Sequence, residues 1–222
     1  MSELSMFDVL GPNMIGPSSS HTAGACRIGK VGNKMSKGDI SYVRFFLHGS
    51  FGQTYRGHGT DRALVGGILG FDPDDERIVD SFNIAQNVGI KYEFIKEDLG
   101  DVHSNTVKIA IEKSNGESVE VIGSSIGGGN IIITRINGLD LEFTGEYFTL
   151  VVPHIDRPGI VTKVTAALAK HEINIAFMKV YRYNRGKEAF MIIESDNVVD
   201  QDTMDEIKTI DGVMNTYSIN LK

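Results

Sequence analysis

Past Gly145 the apolar residues switch between a two-residue and a 3.6-residue period in one order, and few folds accommodate that order. Tyr147 to Val152 reads as a strand, and His154-Ile155-Asp156-Arg157-Pro158-Gly159 as a turn opening a helix whose inward face is Ile160, Val161, Val164 and Leu168. Strands follow at Ile173 to Tyr183 and Ala189 to Glu194, then a helix near Asp202 to Thr209 and a last strand from Val213 to Ile219. The order βαββαβ predicts a ferredoxin-like sheet of four antiparallel strands with two helices on one face. Such a sheet leaves an edge strand open, so side-by-side pairing with a second copy is expected.

The 222 residues exceed the usual size of one domain, which predicts two, over 1–145 and 146–222. The first reads as a mixed α/β domain rich in glycine turns, so the whole chain is of the α+β class. Ser20 to Met35 has a helical apolar face, with Gly24, Gly29 and Gly32 supplying a close-packing stripe. Tyr42 to His48 is a strand with Val43, Phe45 and Leu47 on one side. Thr60 is placed to cap a helix running to Leu69 and ended by Gly70, and a further helix is expected from Glu76 to Val88 with Gly89 as its stop. Asn115-Gly116 and Asn137-Gly138 each lie between strand-like runs and signal hairpins with primed turns.

A hydrophobic content of 41% with 23% charged residues is that of a folded soluble protein, and no apolar run reaches the roughly 18 residues a membrane helix needs. The segment Met1 to Met6 has neither the basic nor the apolar region of a secretory signal, so a cytoplasmic location is expected. A net charge of -7 opposes nucleic-acid binding. The single cysteine, Cys26, excludes an internal disulfide and leaves the chain unable to hold an iron–sulfur cluster unaided, so no metal ligands are expected here.

The chemistry-bearing segments lie in the first domain. Gly16-Pro17-Ser18-Ser19-Ser20-His21-Thr22 leads straight into a helix, where hydroxyls and free backbone amides converge as a carboxylate requires. His21 sits within that first turn, where the helix dipole favours its neutral form. Gly57-His58-Gly59-Thr60-Asp61, preceded by His48-Gly49-Ser50, is either a second ligand-binding helix entrance or a plain glycine turn. His103-Ser104-Asn105-Thr106 and Gly127-Gly128-Gly129 are weaker candidates.

Taken in order, Ser19-Ser20-His21-Thr22, Gly57-His58-Gly59-Thr60-Asp61, His103-Ser104-Asn105-Thr106 and Gly127-Gly128-Gly129 resemble the β subunit of iron–sulfur L-serine dehydratases. The tail, through Asp156-Arg157-Pro158-Gly159 and Asn174-Ile175, resembles an ACT domain. The resemblance implies conversion of L-serine to pyruvate and ammonia by a 4Fe–4S cluster that cysteines of a separate α subunit hold, an iron acting as Lewis acid on the substrate hydroxyl. It implies His21 and His58 as the proton-moving pair and Ser18, Ser19, Ser20, Thr22, Ser50, Thr60 and Asp61 as substrate contacts. Asp156, Gly159 and Asn174 become the residues of a regulatory amino-acid site, or of a module that only dimerises. The first domain is also similar to an allosteric domain of phosphoglycerate dehydrogenases, which implies the alternative of a non-catalytic, amino-acid-sensing subunit. A serine hydrolase is a third reading, and nothing in the sequence shows which His and Asp would serve its nucleophile.

Overall fold

The computed structural model describes residues 13–221, so the Met1 to Met6 segment lies outside the described residues. The chain divides into two compact units, residues 1–138 and 139–222. No described helix is long and apolar enough to cross a membrane.

The first unit is built on strands β1 (Tyr42–Leu47), β2 (Lys91–Lys96), β3 (Thr106–Glu112), β4 (Ser118–Gly127) and β5 (Asn130–Ile136). They form a sheet in which β2-β1-β3-β4-β5 lie in that order, and β6 (Leu139–Phe143) opens the second unit. β1 and β2 are parallel, while β1–β3, β3–β4 and β4–β5 are antiparallel. Val43, Phe45 and Leu47 are buried as the alternation requires, together with Val107, Ile109, Ile111, Val121, Ile131 and Ile133.

A wide π-helical turn, Ser19–Gly24, runs into helix α1 (Ala25–Ser36), close to the predicted span. Short helices α2 (Gly49–Thr54), α3 (Thr60–Ile68) and α4 (Ser81–Asn87) follow. The glycine stripe sets how closely α1 is approached. A Cβ on Gly29 would stand 2.5 Å from the Leu64 carbonyl oxygen, and one on Gly67 would stand 2.1 Å from that of Cys26. Backbone therefore meets backbone between α1 and α3, a contact only glycine permits.

Several local expectations are corrected. Gly59, at φ +72°, is the residue that opens α3, and Thr60 is buried inside the helix with no capping role. The stretch from Glu76 to Val88 is not one helix: Asp75 caps a 3-10 turn, Glu76–Asp80, by accepting from the Arg77 amide. Ser81 then starts α4 with its hydroxyl bonded to the Arg62 carbonyl, which fixes the break. Asn137 and Gly138 both have positive φ, as a primed turn needs, but at the other hairpin only Gly116 does. That turn is longer, closed by Lys113 N–H to the Glu117 carbonyl at 2.8 Å and Gly116 N–H to the Lys113 carbonyl at 3.0 Å.

The second unit holds β7 (Phe148–Ile155), α5 (Ile160–Lys170), β8 (Ile175–Arg182), β9 (Glu188–Ser195), α6 (Gln201–Lys208) and β10 (Tyr217–Ile219). Its sheet order, β10-β7-β9-β8 with every pair antiparallel, is the ferredoxin-like arrangement. Leu150, Val152, Met191 and Ile193 pack with Ile160, Val164, Ala167, Leu168 and Ile207 in one apolar core. Val161 does not join it, being 36% exposed, and Ala167 takes its place on the inward face. The final strand is shorter than predicted, with Val213 making only an isolated bridge to His154.

Candidate functional site

The site begins with two turns pressed together. At the end of β1 the His48 amide donates to the Thr106 carbonyl (3.0 Å), and Gly49 takes φ +52°. A Cβ on Gly49 would stand 2.6 Å from the Ser104 oxygen, so glycine is needed for conformation and for space alike. The turn then lets the Ser50 amide donate to the Ser104 carbonyl at 2.8 Å. That fixes the Ser50 hydroxyl 3.0 Å from His21 Nε2.

His21 is carried by the π-helical turn. Ser18 caps it, its Oγ accepting from the His21 amide at 3.3 Å and lying 3.4 Å from His21 Nδ1. The imidazole is therefore bracketed by two hydroxyls, a chain able to pass a proton through the ring. π-turns of this kind recur at functional sites because they re-aim one side chain inside an otherwise regular helix. Thr22, one residue on and buried, donates its hydroxyl to the His58 carbonyl at 3.3 Å, tying the Gly57-His58-Gly59 loop to the same turn. The two histidine rings consequently meet edge to face, 4.8 Å between centroids, with Phe51 5.4 Å from His21 on another side.

Burial, and secondly the nearby charge of His58, hold the His21 pKa below the ordinary imidazole value. The neutral form is favoured as the sequence suggests, but desolvation is the main cause. His21 is partly buried and His58 exposed. An open cavity of about 370 Å³, lined by Gln53, Thr54, Tyr55, Arg56, Gly57 and Lys96, adjoins the His58 loop.

The remaining sequence candidates divide. Ser19 and Ser20 share the π-turn and are partly buried. Asp61 is partly buried, accepts from the Arg62 amide at 2.8 Å, and has its pKa raised by burial. Thr60 is fully buried with no partner for its Oγ1. In the third motif the Thr106 hydroxyl is committed to the His103 carbonyl (2.5 Å) and Ser124 (2.7 Å), and the exposed His103 accepts from the Asn105 amide. Gly127, Gly128 and Gly129 form a hairpin tip with positive φ throughout, held by Arg27 Nη1 donating to the Gly129 carbonyl at 2.7 Å.

Ser125 carries no weight in the sequence reading, and Asn105 enters it only within the weaker His103-Ser104-Asn105-Thr106 motif. Asn105 Oδ1 and Ser125 Oγ are both shut from solvent with no hydrogen-bond partner. Gly123-Ser124-Ser125-Ile126-Gly127 does spell Gly-x-Ser-x-Gly around Ser125. It runs along β4 instead of turning from strand to helix, so the strained elbow that exposes a nucleophile is absent. Ser50, expected from the sequence as a substrate contact, meets His21, which lies 29 residues away along the chain.

The residues present do not fit an iron–sulfur cluster. Cys26 is buried, its thiol bonded to the Phe71 carbonyl at 3.4 Å and its pKa pushed up to about 12 by desolvation, so it is no thiolate ligand. Among the described residues no three His, Cys, Asp or Glu side chains gather as a metal site.

In the second unit the expected regulatory residues do not converge. Asp156 accepts from Arg182 Nη1 at 3.0 Å and the Gly186 amide at 3.3 Å, and that guanidinium holds its carboxyl below the usual range. Gly159, at φ +88°, opens α5. Asn174 donates to Asp196 at 2.7 Å. The register pairs Ile155 with Glu188 and Ile175 with Ser195, so Asp156 and Asn174 stand at opposite ends of the sheet.

Comparison with known proteins agrees with these two units. Residues 5–135 match the family described as serine dehydratase beta chain, and residues 149–212 match the ACT domain. A protein of Bacillus subtilis (strain 168) named as a probable L-serine dehydratase, beta chain, is 44% identical over 97% of both chains. The L-serine dehydratase, beta chain, of Peptoniphilus asaccharolyticus is 51% identical over 79% of each. A D-3-phosphoglycerate dehydrogenase of Methanocaldococcus jannaschii is 31% identical over 54% of this chain and 22% of its own length. Fold, motif order and these matches place the chain in the serine dehydratase β-chain family, with an ACT domain as its C-terminal part.

Proposed function

We propose that this chain is the β subunit of a cytoplasmic L-serine ammonia-lyase, which converts L-serine to pyruvate and ammonia with a 4Fe–4S cluster carried by a separate α subunit. The observation that supports it best is the 4.8 Å meeting of His21 and His58 beside Ser50. The reaction removes the α proton and the β-hydroxyl of serine, and water converts the resulting enamine to pyruvate and ammonia. On this chain, His21 accepts the α proton: its lowered pKa keeps it neutral near pH 7, and Ser18 and Ser50 fix its ring. His58, the exposed member of the pair, orients the substrate from the other side. Ser18, Ser19 and Ser20 gather the carboxylate at the helix entrance, where amides and hydroxyls favour negative charge, while Thr22 spends its hydroxyl on holding the His58 loop in place. Hydroxyl activation lies outside this chain, whose lone buried thiol is unsuited to a cluster.

The test is anaerobic co-purification with a cysteine-rich α subunit. A brown complex with serine-dependent pyruvate formation is expected, and a complex that stays fully active after His21→Ala and His58→Ala together refutes the role given to this unit. The match to a D-3-phosphoglycerate dehydrogenase favours a second reading, in which the chain only senses an amino acid. That reading requires serine binding without loss of turnover in the histidine variants. For the ACT domain we propose pairing with a second copy through β8, the outer strand of its sheet, where Phe177, Met178 and Val180 are exposed.

A further inference from the structure

Asn105 is tied through its backbone and its neighbour to the two segments that flank the turn of His21. On one side its neighbour Ser104 takes the Ser50 amide, and Ser50 holds His21. On the other side the Asn105 carbonyl takes the Ser125 amide at 3.0 Å. Ser125 lies against Gly24, the last residue of the turn that carries His21: a Cβ on Gly24 would stand 2.1 Å from its Oγ. A chain of contacts thus closes from His21 through Ser50, Ser104, Asn105, Ser125 and Gly24 back to the π-turn.

Inside that circuit two polar atoms, Asn105 Oδ1 and Ser125 Oγ, are cut off from water and unpartnered. Folded proteins rarely leave such atoms unsatisfied, because each has lost its hydration and gained nothing in return. An amide oxygen can only accept, so whatever completes the site must bring a donor. Of the groups L-serine carries, the α-ammonium is the one that is purely a donor and charged. We infer that Asn105 is a substrate-binding residue that accepts a hydrogen bond from the α-ammonium of the amino-acid substrate, with the Ser125 hydroxyl as a second acceptor. The inference rests on the proposed function and deepens it: the π-turn takes the carboxylate and the β2–β3 loop takes the amine. An amino acid is thereby told from the corresponding hydroxy acid.

The substitution Asn105→Asp keeps the oxygen and adds a negative charge, whereas Asn105→Leu removes the acceptor at similar size. In the complex with the α subunit, Asn105→Leu is expected to raise KM for L-serine about 10- to 100-fold, the range for a lost hydrogen bond to a charged group, with KM carrying most of the loss. Asn105→Asp keeps KM within a few-fold of the parent, and Ser125→Ala raises it a few-fold. Inhibition by 3-hydroxypropanoate, which is serine without its amine, is the same in the parent and in Asn105→Leu. An unchanged KM in Asn105→Leu overturns the inference, since water alone would then fill the site. So does an Asn105→Asp variant as impaired as Asn105→Leu that also binds 3-hydroxypropanoate less well, because the group read would then be the carboxylate. A parent complex that makes no pyruvate instead sinks the proposed function, and calorimetry of L-serine binding to the complex still decides the role of Asn105: equal affinity in the parent and Asn105→Leu rejects it.

Discussion

The two units treat their candidate ligand residues in opposite ways. Around His21 the first unit encloses Asn105 Oδ1, Ser125 Oγ and Thr60 Oγ1 without partners and sets two imidazoles in contact. In the second unit the side chains expected to meet a ligand are already engaged, Asp156 with Arg182 and Asn174 with Asp196. It too shuts two polar atoms from solvent without partners, Glu194 Oε1 and Thr203 Oγ1, but what it presents outward is an apolar edge, with Phe177 55% exposed on β8. Unfilled acceptors call for a small polar ligand, while an open apolar strand calls for another chain.

The sharpest way to break this contrast is to remove the imidazoles. His21→Ala in the complex is expected to lower kcat by about 10²- to 10⁴-fold, the usual worth of a positioned acid or base, with unchanged far-UV circular dichroism. His58→Ala falls in the same range, and the double variant loses less than the product of the two, because rings in contact act as one unit. A next test is Gly67→Ala. The added methyl meets the Cys26 carbonyl at 2.1 Å and the Lys30 amide nitrogen at 2.7 Å, both backbone, so α1 and α3 must separate. Overpacking of this kind costs about 3 kcal/mol, read as a lower denaturation midpoint, and should reduce turnover by displacing the π-turn.

How much of this was legible beforehand follows from the range of each interaction. The ferredoxin-like unit could be read almost whole, because periodicity is local and each strand reports its own face. The His21 and His58 motifs also stood out, since glycines and hydroxyls crowd each within a few residues. What the sequence concealed were relations across distance. Ser50 meets His21 only through the Gly49 turn against Ser104, and Gly67 is the unforeseen partner of the α1 glycine stripe. Asn105 and Ser125 matter because of what fails to reach them, which no local pattern records. Asp156 shows the converse: its motif was plain, yet Arg182, 26 residues on, occupies the carboxylate.

The pH response should sharpen the comparison further. Burial lowers the His21 pKa below 6.5, so the acidic limb of kcat/KM is expected below that value, where protonation removes the acceptor. The sign for stability is the same: with the folded pKa depressed, the contribution of His21 is fully present above the unfolded value and is lost as pH falls through the folded one. His58→Gln removes the lesser cause, so the His21 imidazole followed by NMR should titrate higher than in the parent, yet still below 6.5. A His21 that titrates at the unperturbed value in the parent contradicts the packing described. In the second unit, Met178→Lys with Val180→Lys puts two charges on the open strand. A sedimenting dimer of the full chain should weaken by about tenfold or more, while serine turnover per complex persists.

The smallest effect is expected where the motif looked most like a ligand site. Asp156 is partly buried, but it is bonded to an Arg182 whose side chain is 57% exposed, so water and salt screen much of the pair. Asp156→Asn should leave the melting temperature almost unmoved and should not alter the L-serine KM of the complex. Asn174→Ala, at the other end of the sheet, should behave alike. If instead either change abolishes a response of turnover to added amino acid, the residues act across a pair of ACT domains. They would then meet there, Asp156 of one copy against Asn174 of the next, as they do not within a single chain. That outcome would join the two behaviours contrasted above, because the apolar edge would then be the means by which a second polar site is assembled.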